Sequence, residues 1–285
     1  MKTIDTLVPD IYQVIRDKHT GWFNEQLASD FSSDLAMRLR GQLGETRNRP
    51  TLRLSQMGPR CPRALWYSLH HPEMAEAIPP WAEIKFSYGH ILEAFLVTLA
   101  KAAGHEVTGE QDALELDGIV GHRDCVIDGC TVDIKSASSL SFQKFKSSNY
   151  ELVDSFGYLD QLDGYVVASA NDPLVRVKDK GYILAVDKTL GHLHVYEHKV
   201  RPDNIRSRIG YYKSIAASLN PPACECRTET VGASGNRKLD FKASYSPYKW
   251  ECFPRLRAFK YAGGIMYLSK VMRKPDVPEI SKEGR

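Results

Sequence analysis

The dipeptide Asp128-Gly129, within the segment GHRDCVIDGCTVDIKSAS (121–138), places the strongest constraint on how this chain can fold. An Asp-Gly pair between two short apolar runs favours a two-residue type I′ turn, because both residues tolerate a positive φ. The turn sets the register of an antiparallel hairpin, with four cross-strand pairs: Ile127 with Cys130, Val126 with Thr131, Cys125 with Val132, and Asp124 with Asp133.

Two carboxylates therefore face each other on the polar side of this hairpin. Side chains alternate along a strand, so Lys135 shares the face of Asp133, and the other face is apolar. Opposed like charges lie about 4.5–5.5 Å apart at Cβ and destabilise a sheet. A divalent cation between Asp124 and Asp133 would turn that repulsion into a binding site. The alternative is an ordinary solvated polar face. The residues predicted to face the core are Cys125, Ile127, Val132 and Ile134.

Two amphipathic helices are predicted on either side of the hairpin in sequence. In FSYGHILEAFLVTLAKAAGHEV, Glu93 lies at the margin of the apolar stripe, where it is either a boundary residue or a third ligand. In DSFGYLDQLDGYVVASA, Asp154 or Ser155 is the expected N-cap. Gln161 and Tyr165 are four residues apart and share one helical face; the alternative is a plain polar–aromatic pair.

The order of these motifs resembles the PD-(D/E)XK nuclease superfamily, and specifically its RecB-like branch, which includes phage exonucleases and CRISPR-associated nucleases. An earlier segment, LSQMGPRCPRALWY, is similar to the entry motif of that branch. The resemblance extends over roughly residues 51 to 200. The motifs are Cys61-Pro62-Arg63 with Trp66 and Tyr67, Gly89-x-x-x-Glu93, Gly121-x-x-Asp124, Asp133-x-Lys135 and Gln161-x-x-x-Tyr165.

The resemblance implies an α/β fold with a restriction-endonuclease-like core, that is, a central mixed sheet flanked by helices. We expect a helical N-terminal extension (1–50), the nuclease core (51–220) and a basic, aromatic C-terminal segment packed on it (221–285). The implied function is a metal-dependent DNA exonuclease that hydrolyses phosphodiester bonds at DNA ends in phage or bacterial replication, recombination or degradation. The alternatives are a structure-selective endonuclease and, in another class, a non-catalytic nucleic-acid-binding protein.

The resemblance also assigns roles to the motif residues. Mg²⁺ or Mn²⁺ would be held by the side chains of Glu93, Asp124 and Asp133 and by the backbone carbonyl of Ile134. Lys135 would orient the attacking water or stabilise the transition state, and Gln161 and Tyr165 would position the nucleotide. One departure is that many relatives carry His where this chain carries Glu93.

Basic residues are concentrated near the C-terminus, between residues 237 and 274, and aromatic residues interleave with them. Basic side chains neutralise phosphates and aromatic faces stack bases, so this composition suits a surface that follows a DNA strand. The alternative is a solvated basic face over a small aromatic core. The residues expected to contact DNA are Arg63, Lys249, Arg255 and Arg257.

The cysteines argue against one cofactor of the branch. Many relatives hold an iron–sulfur cluster with one upstream cysteine and three near the C-terminus, and Cys61 matches the upstream position. Ala243 and Ser246 occupy two of the C-terminal positions, which leaves Cys252. Cys224-x-Cys226 lies earlier, with a different spacing. We therefore expect no iron–sulfur cluster and a C-terminal region that packs without metal; convergence of Cys61, Cys224, Cys226 and Cys252 is the minor alternative.

The composition of the chain limits the size of its core, its location and the kinds of partner it can bind. A chain of 285 residues with 42% hydrophobic content can bury a sizeable core, and its net charge of +3 permits nucleic-acid binding. No run approaches the roughly 18 apolar residues of a membrane span. The six cysteines fit reduced thiols better than a disulfide framework. We expect a cytoplasmic protein without a membrane partner that binds DNA ends and works beside replication or recombination proteins.

Overall fold

The computed structural model describes residues 2–44 and 50–282. Its α-helices are α1 (Leu7–Arg16), α2 (Glu25–Leu43), α3 (Pro62–His70), α4 (Pro80–Ala102), α5 (Ser139–Phe145), α6 (Tyr150–Val153), α7 (Tyr158–Ala168), α8 (Pro202–Ala216), α9 (Phe241–Tyr245) and α10 (Lys249–Cys252). Its strands are β1 (Val107–Thr108), β2 (Ala113–Leu116), β3 (Ile119–His122), β4 (Cys125–Ile127), β5 (Cys130–Ala137), β6 (Val177–Asp187), β7 (Leu193–Lys199), β8 (Thr228–Val231), β9 (Asn236–Leu239), β10 (Arg257–Tyr261), β11 (Gly264–Lys270) and β12 (Glu279–Ile280).

The described chain divides into two compact units. The first comprises residues up to 44, then 52–58 and 78–209, and the second comprises residues 50–51, 59–77 and 210–282. The three sequence-based segments, with limits at residues 50 and 220, stay a prediction. Within the described residues, every helix is too short or too polar to cross a membrane.

A five-stranded mixed sheet organises the first unit, in the order β1-β4-β5-β6-β7. The strand β5 is central; it runs antiparallel to β4 and parallel to β6. The predicted hairpin and its register are confirmed, with Cys125 opposite Val132 and Ile127 opposite Cys130. The turn has φ values of 52° at Asp128 and 78° at Gly129, which is the left-handed geometry expected for a type I′ turn.

Helices cover both faces of this sheet, so the predicted fold class is confirmed. On one face, α1 and α4 pack over the even-numbered positions of β5, including Val132 and Ile134. On the other face, α5 and α7 pack over β6 through Ile183 and Ala185. The four hairpin residues predicted to face the core are all buried, namely Cys125, Ile127, Val132 and Ile134. The odd-numbered positions of β5, which carry the motif residues, therefore lie on the side of α7.

Other elements of the first unit also follow the sequence pattern. The helices α1 and α2 lie in the described part of the N-terminal segment, whose residues 45–49 are outside the described residues, and α4 and α7 cover the two amphipathic stretches around the hairpin. The strands β6 and β7, which follow α7, form an antiparallel pair.

The second unit contains its own five-stranded antiparallel sheet, in the order β12-β10-β11-β9-β8. One buried apolar cluster of this unit lies among its C-terminal residues. Leu239, Ala243 and Leu256 form its centre, and the partly buried side chains around it include Cys226 and Trp250.

Candidate functional site

The hairpin brings Asp124 and Asp133 together at the start of β4. The Oδ2 atom of Asp124 accepts a hydrogen bond from the backbone N–H of Ile134 at 2.7 Å, which holds this carboxylate beside β5. Asp133 is fully buried. Burial raises the pKa of Asp133 to about 7; the Lys135 ammonium opposes this shift, and the nearby Asp124 carboxylate adds to it. The two carboxylates are thus crowded as the register predicted.

Lys135 completes this group of charges. Its Nζ atom lies 2.7 Å from Oδ2 of Asp133 and 5.1 Å from the ring centre of Tyr158. Burial alone would lower the pKa of Lys135, but Asp133 and Asp124 outweigh burial and raise it above its ordinary value. The lysine is therefore a cation held in place between a carboxylate and an aromatic face.

The helix α7 supplies an amide to the same site. The Nε2 atom of Gln161 donates to Oδ1 of Asp133 at 3.3 Å and to the Tyr165 hydroxyl at 3.0 Å. Tyr165 is only 2% exposed, so its hydroxyl positions Gln161 and does not face solvent. Gly121 makes room for this arrangement, because a Cβ atom there would lie 2.9 Å from Cε1 of Tyr165.

Glu93 reaches the site from α4, in the company of residues that the sequence motifs do not include. Its Oε1 atom accepts a hydrogen bond from Gln111 at 2.9 Å and forms an ion pair with Arg38 of α2. Arg38 is buried, and its Nε atom also pairs with Asp34 at 2.9 Å. Burial and the charge of Asp124 raise the pKa of Glu93 to about 9, against the opposing effect of Arg38. Nothing in the local sequence marks Arg38, which lies 55 positions from Glu93.

The donor atoms suit a hard divalent cation. Three carboxylates supply oxygen ligands of the kind that Mg²⁺ and Mn²⁺ prefer. Burial, with a smaller contribution from the Asp124 carboxylate, raises the pKa values of Asp133 and Glu93, and a bound cation would favour their ionised forms. The residue types fit the metal that the resemblance implies, but in the described chain the three carboxylates do not form a group whose ligand oxygens all lie within 4.8 Å of one another, so this ligand set stays a prediction. The assignment of the Ile134 carbonyl as a ligand stays a prediction.

The four residues expected to contact DNA differ in their exposure and in their partners within the second unit. Lys249 is 4% exposed and pairs with the Glu76 carboxylate, so it is not available to a phosphate and is removed from the predicted surface. Arg257 makes two bonds to Glu279, at 2.7 and 2.6 Å. Arg63 donates to the carbonyl of Pro222 at 2.8 Å, whereas Arg255 is exposed.

Four cysteines of the second unit converge, contrary to the expectation from their spacing. The Sγ atom of Cys61 lies 3.8 Å from that of Cys224 and 3.7 Å from that of Cys252. The four Sγ atoms, including that of Cys226, all lie within 4.8 Å of one another. The thiols of Cys226 and Cys252 lower the pKa of Cys61, and backbone amides add to the effect. The expected packing of this region without a metal site is therefore contradicted, and the minor alternative, convergence of the four cysteines, is the arrangement observed.

Comparisons with known proteins find distant structural similarity. The crystal structure of SSO0001 aligns with a TM-score of 0.42 and 15% identity, over 81% of this chain and 97% of that one. An alkaline exonuclease (LHK-Exo) from Laribacter hongkongensis aligns with a TM-score of 0.41 and 13% identity, over 64% of this chain and 91% of that one. Its complex with dAMP aligns with a TM-score of 0.38 and 13% identity over the same shares of the two chains. No protein-family model and no curated protein matches the sequence. Similarity at this level carries no conclusion about activity, which depends on the site itself.

Proposed function

We propose that this protein is a metal-dependent deoxyribonuclease that hydrolyses phosphodiester bonds at DNA ends. The observation that carries the proposal is the group formed by Asp124, Asp133 and Lys135. Two carboxylates are crowded at one end of a hairpin, and an ammonium lies 2.7 Å from one of them. Opposed carboxylates destabilise a sheet, and a divalent cation bound between them would offset that repulsion.

The metal ligands in this proposal are Glu93, Asp124 and Asp133. Mg²⁺ or Mn²⁺ bound there would stabilise charge on the attacked phosphate and make water a better nucleophile near neutral pH. Arg38 holds the Glu93 carboxylate against α2, so Glu93 is oriented before any ligand arrives. The hydrogen bond from Ile134 orients Asp124 in the same way.

The side chains of Lys135, Gln161 and Tyr165 have separate roles in this proposal. Lys135 keeps its proton, because the carboxylates raise its pKa, and its ammonium stabilises negative charge as it develops on the phosphate. Gln161 donates a hydrogen bond to Asp133 and is proposed to position the nucleotide. Tyr165, being buried, acts on Gln161 and not on the substrate.

DNA ends are the proposed partner, in replication, recombination or degradation. Arg63 of α3 and Arg255 and Arg257 of the basic C-terminal segment remain proposed phosphate contacts. The three segments predicted from the sequence are proposed as the functional divisions of the chain. A strand held by such contacts should bind more weakly as salt increases.

The deciding experiment is a nuclease assay with Mg²⁺ or Mn²⁺ on single- and double-stranded DNA labelled at the 5′ or the 3′ end. We expect the wild type to release short products from an end and Asp133→Asn to release none. Asp117→Asn is the matched control, because Asp117 is a surface carboxylate paired with Arg206. Absence of cleavage with either metal on every substrate would refute the proposal.

Circular DNA without ends separates the two catalytic alternatives. An exonuclease leaves it intact, whereas a structure-selective endonuclease cuts it at junctions or flaps. A protein that binds DNA but never cleaves it would belong to the non-catalytic class.

A further inference from the structure

The four thiols of the second unit lie close together. Their S···S distances distinguish a site for a single metal ion from a site for an iron–sulfur cluster. Cys61 lies 3.8 Å from Cys224 and 3.7 Å from Cys252, measured between Sγ atoms. The four Sγ atoms all lie within 4.8 Å of one another, so they form one compact group and not two separated pairs.

A single tetrahedral ion requires this spacing. A Zn–S bond of about 2.3 Å gives a tetrahedron whose S···S edges are about 3.8 Å long. In a four-iron cluster each thiolate binds a different iron, and the irons and sulfides stand between the thiolates. In a two-iron cluster the thiolates form two pairs held apart by the bridging sulfides. The iron–sulfur cluster implied by the resemblance therefore does not fit this donor set.

We propose that Cys61, Cys224, Cys226 and Cys252 bind one Zn²⁺ ion. Four thiolates leave no open coordination position, so the site is structural and not catalytic. It joins the start of α3 to α10, across sequence separations of 163 residues (Cys61 to Cys224) and 191 residues (Cys61 to Cys252).

The test is elemental analysis of the full-length wild-type protein, purified without oxygen from cells supplied with both iron and zinc. We expect about one zinc per chain, no iron, no acid-labile sulfide and no brown colour. Replacement by Co²⁺ should give the intense visible absorption of a tetrahedral thiolate site. Two or four irons per chain with matching sulfide, or a chain without any bound metal, would overturn the proposal.

Two variants test the ligand assignment. Cys224→Ser should lower the zinc content and the unfolding temperature, whereas Cys130→Ser, a buried cysteine outside the group, should keep full zinc. Equal zinc in the two variants would contradict the assignment. If Cys224→Ser fails to fold, the metal content and Co²⁺ spectrum of the wild type still decide the proposal.

Discussion

The Nζ atom of Lys135 lies 2.7 Å from Oδ2 of Asp133, two positions earlier on the same strand. Both side chains point to the face of the sheet on which α7 packs, so one strand supplies a carboxylate and its cation together. The neighbouring Asp124 carboxylate also attracts this ammonium group. The two carboxylates together raise the pKa of Lys135. The site therefore holds a lysine that stays charged.

Lys135→Ala should lower the single-turnover cleavage rate by roughly 100-fold or more, because it removes a positive charge aimed at the developing charge on phosphate. DNA binding and metal binding should change little, since the carboxylate ligands remain. Rapid-quench kinetics and fluorescence anisotropy measure the two quantities. Lys178→Ala, a surface lysine variant in the same unit, is the control, and a Lys135→Ala enzyme of wild-type rate would remove this residue from the mechanism.

Mg²⁺ or Mn²⁺ should raise the unfolding temperature of the wild type, because a ligand that binds only the folded state stabilises it. Asp133→Asn should lose most of that increase. Asp117→Asn, at an exposed carboxylate, should keep it. Differential scanning calorimetry with and without EDTA measures the shifts, and an equal increase in wild type and Asp133→Asn would argue against this pair of carboxylates as the metal site.

Metal binding should strengthen as the pH rises from about 6 to 9. In the metal-free protein the pKa is about 7 for Asp133 and about 9 for Glu93, and the ion competes with those protons. Both values lie above those of unfolded chains, so the folded protein binds more protons and its metal-free stability falls as the pH rises toward 9. Titration calorimetry with Mg²⁺ in buffers of different ionisation enthalpy measures the proton release.

Glu93→Gln should flatten the upper part of this pH profile, because it removes the group with the higher pKa. A metal affinity that is constant between pH 6 and 9 in the wild type would contradict the crowding of charge inferred at the site.

Gly121→Ala should destabilise the first unit by about 1–3 kcal/mol through overpacking. Its Cβ atom would lie 2.6 Å from Cβ of Leu54 and 2.9 Å from the Tyr165 ring. The control is Gly210→Ala, in the helix α8, where nothing lies within 4 Å of the added Cβ atom. That change should stabilise the protein by up to about 1 kcal/mol, because alanine is the better helix former. Urea denaturation measures both, and a neutral Gly121→Ala would show that Tyr165 can move aside.

The sequence by itself determined the features of this protein that depend on residues close to one another along the chain. The Asp128-Gly129 turn sets the hairpin register, whose described pairs are Cys125 with Val132, Val126 with Thr131 and Ile127 with Cys130. That register brings Asp124, just before β4, beside Asp133, and strand alternation puts Lys135 on the face of Asp133. Helical periodicity placed Gln161 and Tyr165 on one side of α7 in the same way. These relationships can be predicted from the sequence because the turn type fixes the register of a hairpin. The repeat of two residues in a strand, or of 3.6 residues in a helix, fixes which side chains share a face.

Only the tertiary structure decided which distant residues meet. Arg38 pairs with Glu93 across 55 positions, and Lys249 is buried against Glu76 across 173 positions instead of facing DNA. The four cysteines converge although their spacing matches neither that of the clustered relatives nor a short metal-binding motif. Such contacts arise from how separate elements pack, and residue spacing along a chain carries little information about packing. The sequence therefore determined the hairpin and its acidic pair, whereas the fold decided which charges and thiols surround them.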